Sequence, residues 1–98
     1  MFVKIHHSYR EVVAICDSDL IGKILEEGKF QLDVKENFYK GEEINEEKLI
    51  LLIQKMSVED STFNIVGKKS VSIAQKIGLI NKESVKEIAG IPFSLVLL

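Results

Sequence analysis

Cys16, Asp17 and Asp19 stand where the apolar run from Glu11 to Cys16 gives way to polar residues. A thiol beside the start of a helix gains thiolate character, so Cys16 is a candidate nucleophile. With His6 or His7 it is also a candidate metal ligand. The stronger reading of all three residues is structural. Cysteine is among the most buried residue types, and aspartates beside a helix start usually cap it. There is one cysteine and no Cys-x-x-Cys pair, so a structural zinc site is poorly supported. His6 and His7 are adjacent, and on a strand they point to opposite faces, which makes joint chelation of one ion difficult. At a turn, with Arg10, they would form a small basic rim. Tyr39, Gly41, Asn64 and Gly67 fall beside expected element ends, where loops build pockets; ordinary turn chemistry accounts for them equally well.

No Gly-rich phosphate loop, His-Glu-x-x-His, Gly-x-Ser-x-Gly or EF-hand pattern occurs. Gly22-Lys23 resembles only the last residues of a phosphate loop, without its earlier glycines.

The chain has 98 residues, of which 46% are hydrophobic and 29% charged. That length points to one domain, residues 1–98. It allows one modest core, with a folded surface of about 5,700 Å² against roughly 16,000 Å² for the extended chain. A lone cysteine excludes an internal disulfide and fits a reducing compartment. No signal-peptide pattern is visible at the N-terminus, and no apolar run approaches the ~20 residues of a membrane span. A cytoplasmic protein without a membrane anchor is expected. Net charge is −2. Residues 1–67 hold 8 basic and 13 acidic groups and residues 68–98 hold 5 and 2, giving −5 and +3. A dense basic stripe of the kind that marks nucleic-acid binders is missing.

The elements follow from periodicity. Val3 and Ile5 alternate with polar neighbours, and Val12 to Cys16 reads as a second, antiparallel and central strand. Ser18 is placed to cap a helix whose apolar stripe is Leu20, Ile21, Ile24 and Leu25, ending at Gly28. Gly22 on that stretch marks a close backbone approach. Phe30, Leu32 and Val34 alternate as a strand. Residues 36–43 form a loop whose Phe38 and Tyr39 fold back onto the core. Asn45 caps the next helix, with Ile44 and Leu49 at staple spacing. Glu59-Asp60-Ser61 is a break, and Thr62 to Val66 a strand ending at Gly67. A third helix turns Val71, Ala74 and Ile77 inward and closes at Gly78-Leu79 as a Schellman ending. Asn81 caps a fourth, short helix stopped by Gly90 and Pro92. The apolar tail from Phe93 to Leu98 is an edge or joining strand, or docks into a partner. The fold class is α+β, a small mixed β-sheet with packed helices in the order ββαβαβααβ.

Residues 70–90 have a helix-turn-helix outline. Lys82, Glu83, Lys86 and Glu87 cancel one another on its second helix, which opposes DNA recognition.

Ala14-Ile15-Cys16-Asp17 followed by Leu20-Ile21-Gly22-Lys23 and Glu27-Gly28 resembles the DUF424 family, a small family of uncharacterised archaeal proteins. Phe38-Tyr39 with Gly41, Asn64-Ile65-Val66-Gly67 with Val71 and Ala74, and the close Gly90-Ile91-Pro92 resemble its further signatures, in order along nearly the whole chain. In the family pattern a histidine, an alanine and a glutamine follow the proline; Phe93, Ser94 and Leu95 stand here. The resemblance implies no established activity. It implies genes that sometimes neighbour those of translation factors, and so a cytoplasmic role in translation or RNA metabolism.

The resulting expectation is a non-catalytic interaction protein accessory to translation, with no cofactor. Its partner would be a protein, such as a translation factor, or a second copy in a homodimer. Direct nucleic-acid contact is not expected. Arg10, Cys16, Asp17, Lys23, Tyr39 and Asn64 would surround a shared polar groove, while Phe93, Leu95 and Leu97 would form a partner surface. Two other readings stay open. One is a small enzyme or ligand-binding protein with a polar pocket near Cys16-Asp17. The other is a weak RNA-binding module using Lys68, Lys69, Lys76, Lys82 and Lys86.

Overall fold

The structure is a computed structural model that describes residues 1–58 and 60–98. Its elements are β1 (Phe2–His6), β2 (Glu11–Cys16), β3 (Ile24–Glu27), β4 (Phe30–Asp33), α1 (Glu36–Tyr39), β5 (Glu42–Glu43), α2 (Glu46–Ser57), β6 (Ser61–Val66), α3 (Lys68–Lys76), β7 (Lys86–Ile88) and β8 (Ile91–Leu97). Six strands form one mixed sheet in the order β5-β1-β2-β6-β8-β7, and β3 and β4 form a separate hairpin. Within the sheet β2 and β6 run parallel, Cys16 beside Val66, while the other neighbours are antiparallel. The α+β class expected from periodicity is the observed one.

Strand alternation divides the apolar residues between two faces. Val3, Val13, Ile15, Phe63 and Ile65 point to the helical face, where they pack with Leu49, Ile53 and Met56 of α2 and Val71, Ile73 and Ala74 of α3. Ala14, Cys16 and Val66 point the other way, into a second cluster with Leu20, Leu25, Val34, Tyr39 and Ile88. Both faces of β2 are therefore covered at its end, and Val13, Ala14, Ile15 and Cys16 are fully buried, as its near-continuous apolar run predicts.

Local signals that required no distant partner are correct. The Asn45 side chain accepts a hydrogen bond from the Lys48 N–H at 2.9 Å and caps α2. Leu79 N–H donates to Ala74 C=O at 2.9 Å and Gly78 N–H to Gln75 C=O at 3.1 Å, the Schellman pair. Tyr39 folds back and is buried, although it does so on the one-turn helix α1 rather than on a loop. The expected break at Glu59-Asp60-Ser61 falls in part on Glu59, outside the described residues; Ser61 already belongs to β6.

Two expected helices are strands. After a single 3₁₀ turn at Ser18–Leu20, the chain turns at Gly22 and enters the β3–β4 hairpin. Four apolar residues over six positions fit either period, and the cross-strand pairing of Leu25 with Leu32 over the second core cluster decides for the strand. Gly28 opens the two-residue turn at φ +61°, the conformation that a tight hairpin asks of its first central residue. Gly22 N–H donates to Val34 C=O at 2.7 Å, but the expected close backbone approach is not found: a Cβ there would meet only the Glu36 side chain at 3.8 Å, and the glycine serves the turn through its φ of +81°. Asn81 does cap, accepting from the Ser84 N–H at 3.1 Å, but only a 3₁₀ turn at Lys82–Ser84 follows. Lys86–Ile88 then pairs with β8 as β7. Pro92 lies inside β8, which joins β6 to β7.

Fully buried Phe63 and Leu49 carry the helical-face core. Truncating Phe63 to alanine is expected to cost about 3–5 kcal/mol. Leu51 on α2 is 66% exposed, and its truncation should stay within about 0.5 kcal/mol. Urea unfolding of the two variants against the parent chain measures both.

Candidate functional site

The polar residues at the end of β2 meet the start of α3. Asp17 continues the parallel ladder, its N–H donating to Val66 C=O at 3.0 Å. Its carboxylate then reaches across to a helix that begins 51 residues later in the chain, where Lys68 is the first helical residue. Oδ2 accepts from the Lys69 N–H at 3.0 Å, and Oδ1 accepts from the Ser70 N–H at 2.9 Å and the Ser70 hydroxyl at 2.8 Å. These amides belong to the second and third residues of the helix, which have no intrahelical partner. Asp17 and Ser70 are both buried.

Gly67 makes the arrangement sterically allowed. It sits at φ +116°, and a Cβ there would stand 2.3 Å from Asp17 Cγ. Its own N–H donates to Pro92 C=O at 2.9 Å, so β8 is tied to the same junction. The aspartate beside Cys16 does cap a helix, but that helix is α3; the expected cap Ser18 instead donates its hydroxyl to Glu43. The signal for the true partner lies in Val66-Gly67-Lys68-Lys69-Ser70. That helix start has no Ser, Thr, Asp or Asn at its cap position and puts two lysines in its first turn, so it needs an anion from elsewhere.

Cys16 lies behind Asp17 and is fully buried. Burial, followed by the charge of Asp17, pushes its pKa from 9.0 up to about 11. A protonated, enclosed thiol is a poor nucleophile and a poor metal ligand. Burial, followed by Cys16, likewise pushes Tyr39 from 10.0 up to about 12. His6 Nε2 is 2.8 Å from Phe38 C=O and its ring stacks on Phe38, while His7 Nδ1 contacts the Glu11 carboxylate at 2.7 Å. The two imidazoles thus have separate surroundings. Among the described residues, no group of three or more His, Cys, Asp or Glu side chains is arranged to hold a metal ion.

The six residues expected to share a groove divide into separate places. Cys16, Asp17 and Tyr39 gather at the end of β2. Lys23 is exposed between the 3₁₀ turn and β3. Arg10 stands at the opposite end of β2, roughly 20 Å away at ~3.3 Å per residue, where its guanidinium donates to Leu98 C=O at 2.7 Å and lies 3.7 Å from Asp60. Asn64 is in the middle of β6, between Ala14 and Leu95. One groove does not hold all six.

Beside Asp17, a cleft of about 490 Å³ is lined by Met1, Asp17, Ser18, Asp19, Lys68 and Lys69. It lies beyond the carboxyl ends of the parallel pair β2 and β6, the usual ligand position in open sheets with parallel strands. The lysines proposed for RNA are dispersed. Lys68 and Lys69 border this cleft, Lys76 at the far end of α3 pairs with Glu46 at 3.0 Å, and Lys86 projects from β7 on the hairpin side of the sheet.

The expected partner surface lies away from Asp17. On the hairpin face, register places Val12, Thr62 and Leu97 in one cross-strand row and Ala14, Asn64 and Leu95 in the next. On this face α1 lies over β1 and β2 and the β3–β4 hairpin lies over β7 and the start of β8, while Leu95 and Leu97, further along β8, are 59% and 68% exposed. Phe93 is half-buried. With Phe30, Leu32 and Ile88 it lines a mainly apolar slot of about 390 Å³ under the hairpin.

A family model described as a protein of unknown function, DUF424, matches residues 5–98. No curated protein matches the sequence. The crystal structure of an uncharacterized conserved protein from Methanopyrus kandleri is similar, with a TM-score of 0.82 and 23% identity over 98% of this chain and 90% of that one. That likeness shows a shared fold. No helix among the described residues is long and apolar enough to cross a membrane.

Two measurements follow from this geometry. Asp17→Ala strands two helix-end amides and a buried hydroxyl, and is expected to cost about 2–3 kcal/mol; Asp17→Ser should restore part of it. Chemical denaturation of both variants checks this. The Cys16 thiol has its folded pKa above its unfolded one, so the fold favours the protonated form. Its contribution is complete below pH 9 and is lost as pH rises toward about 11. The urea midpoint of the parent chain should therefore fall more steeply across that window than the midpoint of Cys16→Ala.

Proposed function

For this chain, which belongs to the DUF424 family, we propose a non-catalytic interaction protein acting in the cytoplasm as an accessory to translation or RNA metabolism. The observation that carries the reading is the contrast between its two polar and apolar candidates. The carboxylate of Asp17 is occupied by three hydrogen bonds within the chain and Cys16 is enclosed. Leu95 and Leu97, by contrast, present apolar side chains to solvent from a rigid sheet. Exposed apolar residues grouped on a regular element are the usual mark of a docking surface. The link to translation rests on the gene neighbourhood that the family resemblance implies.

The cleft beside Asp17 supports a second reading, a small-ligand site. Lys68 and Lys69 would favour an anionic ligand there, against the opposing charges of Asp17 and Asp19. Thermal unfolding with a panel of anionic metabolites would favour this reading if one ligand raises the transition temperature of the parent chain and not that of Lys68→Ala/Lys69→Ala.

Mild-salt affinity purification from the native cell, with and without ribonuclease, tests the leading proposal. The expected result is a translation factor or ribosomal protein that co-purifies after ribonuclease treatment and is lost with Leu95→Lys. Loss of every partner on ribonuclease treatment would instead favour RNA contact and contradict the proposal.

A further inference from the structure

Hydrogen-bond direction along β8 is fixed at both of its ends. Gly67 N–H donates to Pro92 C=O, and Leu98 N–H donates to Ser61 C=O at 3.2 Å. In an antiparallel ladder the main-chain groups of successive residues point to alternate sides. The even-numbered residues of β8 therefore bond to β6, and Ile91, Phe93, Leu95 and Leu97 turn their N–H and C=O groups to the opposite edge. β7 satisfies Ile91 and Phe93, and its register ends at the pair Lys86–Phe93. Beyond it the chain bends onto the helical face, where Val85 packs and Ser84 C=O accepts from the Ser94 hydroxyl. The Ser84 N–H is turned to Asn81. Among the described residues, Leu95 and Leu97 form the stretch of open sheet edge that follows.

Open edges are normally blunted by charge, proline or a covering segment. The opposite edge of this sheet follows that rule, since β5 is short and consists of Glu42 and Glu43. The β8 edge does not: Ser94-Leu95-Val96-Leu97-Leu98 carries no charged side chain. Its pattern is also self-complementary. A two-fold axis through Val96 sets Leu95 opposite Leu97 of a second copy and Leu97 opposite Leu95. Each pair then exchanges an N–H and a C=O, and the Leu95 and Leu97 side chains of both copies fall on the hairpin face, where they are already exposed. Two copies meet without like charges across the seam, and the interface has the isologous form of most homodimers.

We propose that β8 pairs with β8 of a second copy across this edge, joining two sheets into one through Leu95 and Leu97. The inference rests on the reading of these leucines as a docking surface and names the occupant. With so short a seam the dimer belongs to the weak class, below the area of standard stable interfaces.

Sedimentation velocity of the full chain over a series reaching about 1 mM is the test, in the range where weak association is populated. The mass should rise with concentration toward twice that of the monomer. Leu97→Pro removes one outward N–H and leaves every bond to β6 intact, and Leu95→Lys places charge on the seam. Both should hold the chain monomeric with an unchanged circular dichroism spectrum, while Leu51→Lys on α2 should leave dimerisation intact. If Leu97→Pro fails to fold, Leu95→Lys and Leu97→Lys carry the comparison. A parent chain that stays monomeric throughout, or a dimer that persists in the folded seam variants, overturns the proposal. Should the parent be monomeric while Leu95→Lys still loses a cellular protein partner, the docking surface stands and only self-pairing falls.

Discussion

The carboxylate of Asp17 at the start of α3 is the interaction on which the rest of the structure depends. It comes from the end of one parallel strand and satisfies the helix that leaves the other. A helix that opens Gly-Lys-Lys-Ser has no cap of its own and carries positive side chains at its positive end. Asp17 supplies both the missing acceptors and the missing charge. Gly67 is the steric condition, because any Cβ would occupy the space of that carboxylate. Once α3 is seated, Val71, Ile73 and Ala74 close the helical-face core, and Gly67 N–H holds Pro92 and hence β8 in register.

The two faces of the sheet are closed to different degrees. Two helices of 12 and 9 residues cover one. The other is covered by a hairpin of four-residue strands, about 13 Å long at ~3.3 Å per residue, together with a 3₁₀ turn and one-turn α1. That cover reaches Ala14, Cys16 and Val66 but not the row of Val12, Thr62 and Leu97. The exposed leucines are thus a consequence of a short lid over a longer sheet. The exposed leucines and the buried polar junction occupy different rows of the sheet, and Gly67 N–H ties the strand that carries those leucines to the junction.

Much of this was legible in the sequence, and the boundary between legible and hidden is physical. Asn45, the Gly78-Leu79 ending, the β2 apolar run and the burial of Tyr39 depend on neighbours in the chain or on a strong pattern, and each is found as expected. The segments Ile24–Glu27 and Lys86–Ile88 are too short for their periods to separate helix from strand. Their strand partners, β4 and β8, settle the matter through tertiary pairing. For Asp17 the residue was visible and its partner was not, since Lys69 and Ser70 lie more than fifty positions away. Arg10 and Asn64 are polar like Asp17 and were expected beside element ends, but Arg10 lies at the far end of β2 and Asn64 in the middle of β6. The apolar character of the tail that exposes Leu95 and Leu97 is plain in the sequence, whereas which of its main-chain groups face outward required the ladder.

Asp17 holds the first turn of α3, and amide hydrogen exchange reads that role out residue by residue. The second and third amides of a helix ordinarily exchange rapidly because nothing in the helix accepts from them. The Lys69 and Ser70 amides should be protected to the same degree as the β6 ladder beside them. Rapid exchange at both amides in the folded protein, with β6 protected, would contradict it and leave the Asp17 carboxylate free for other chemistry.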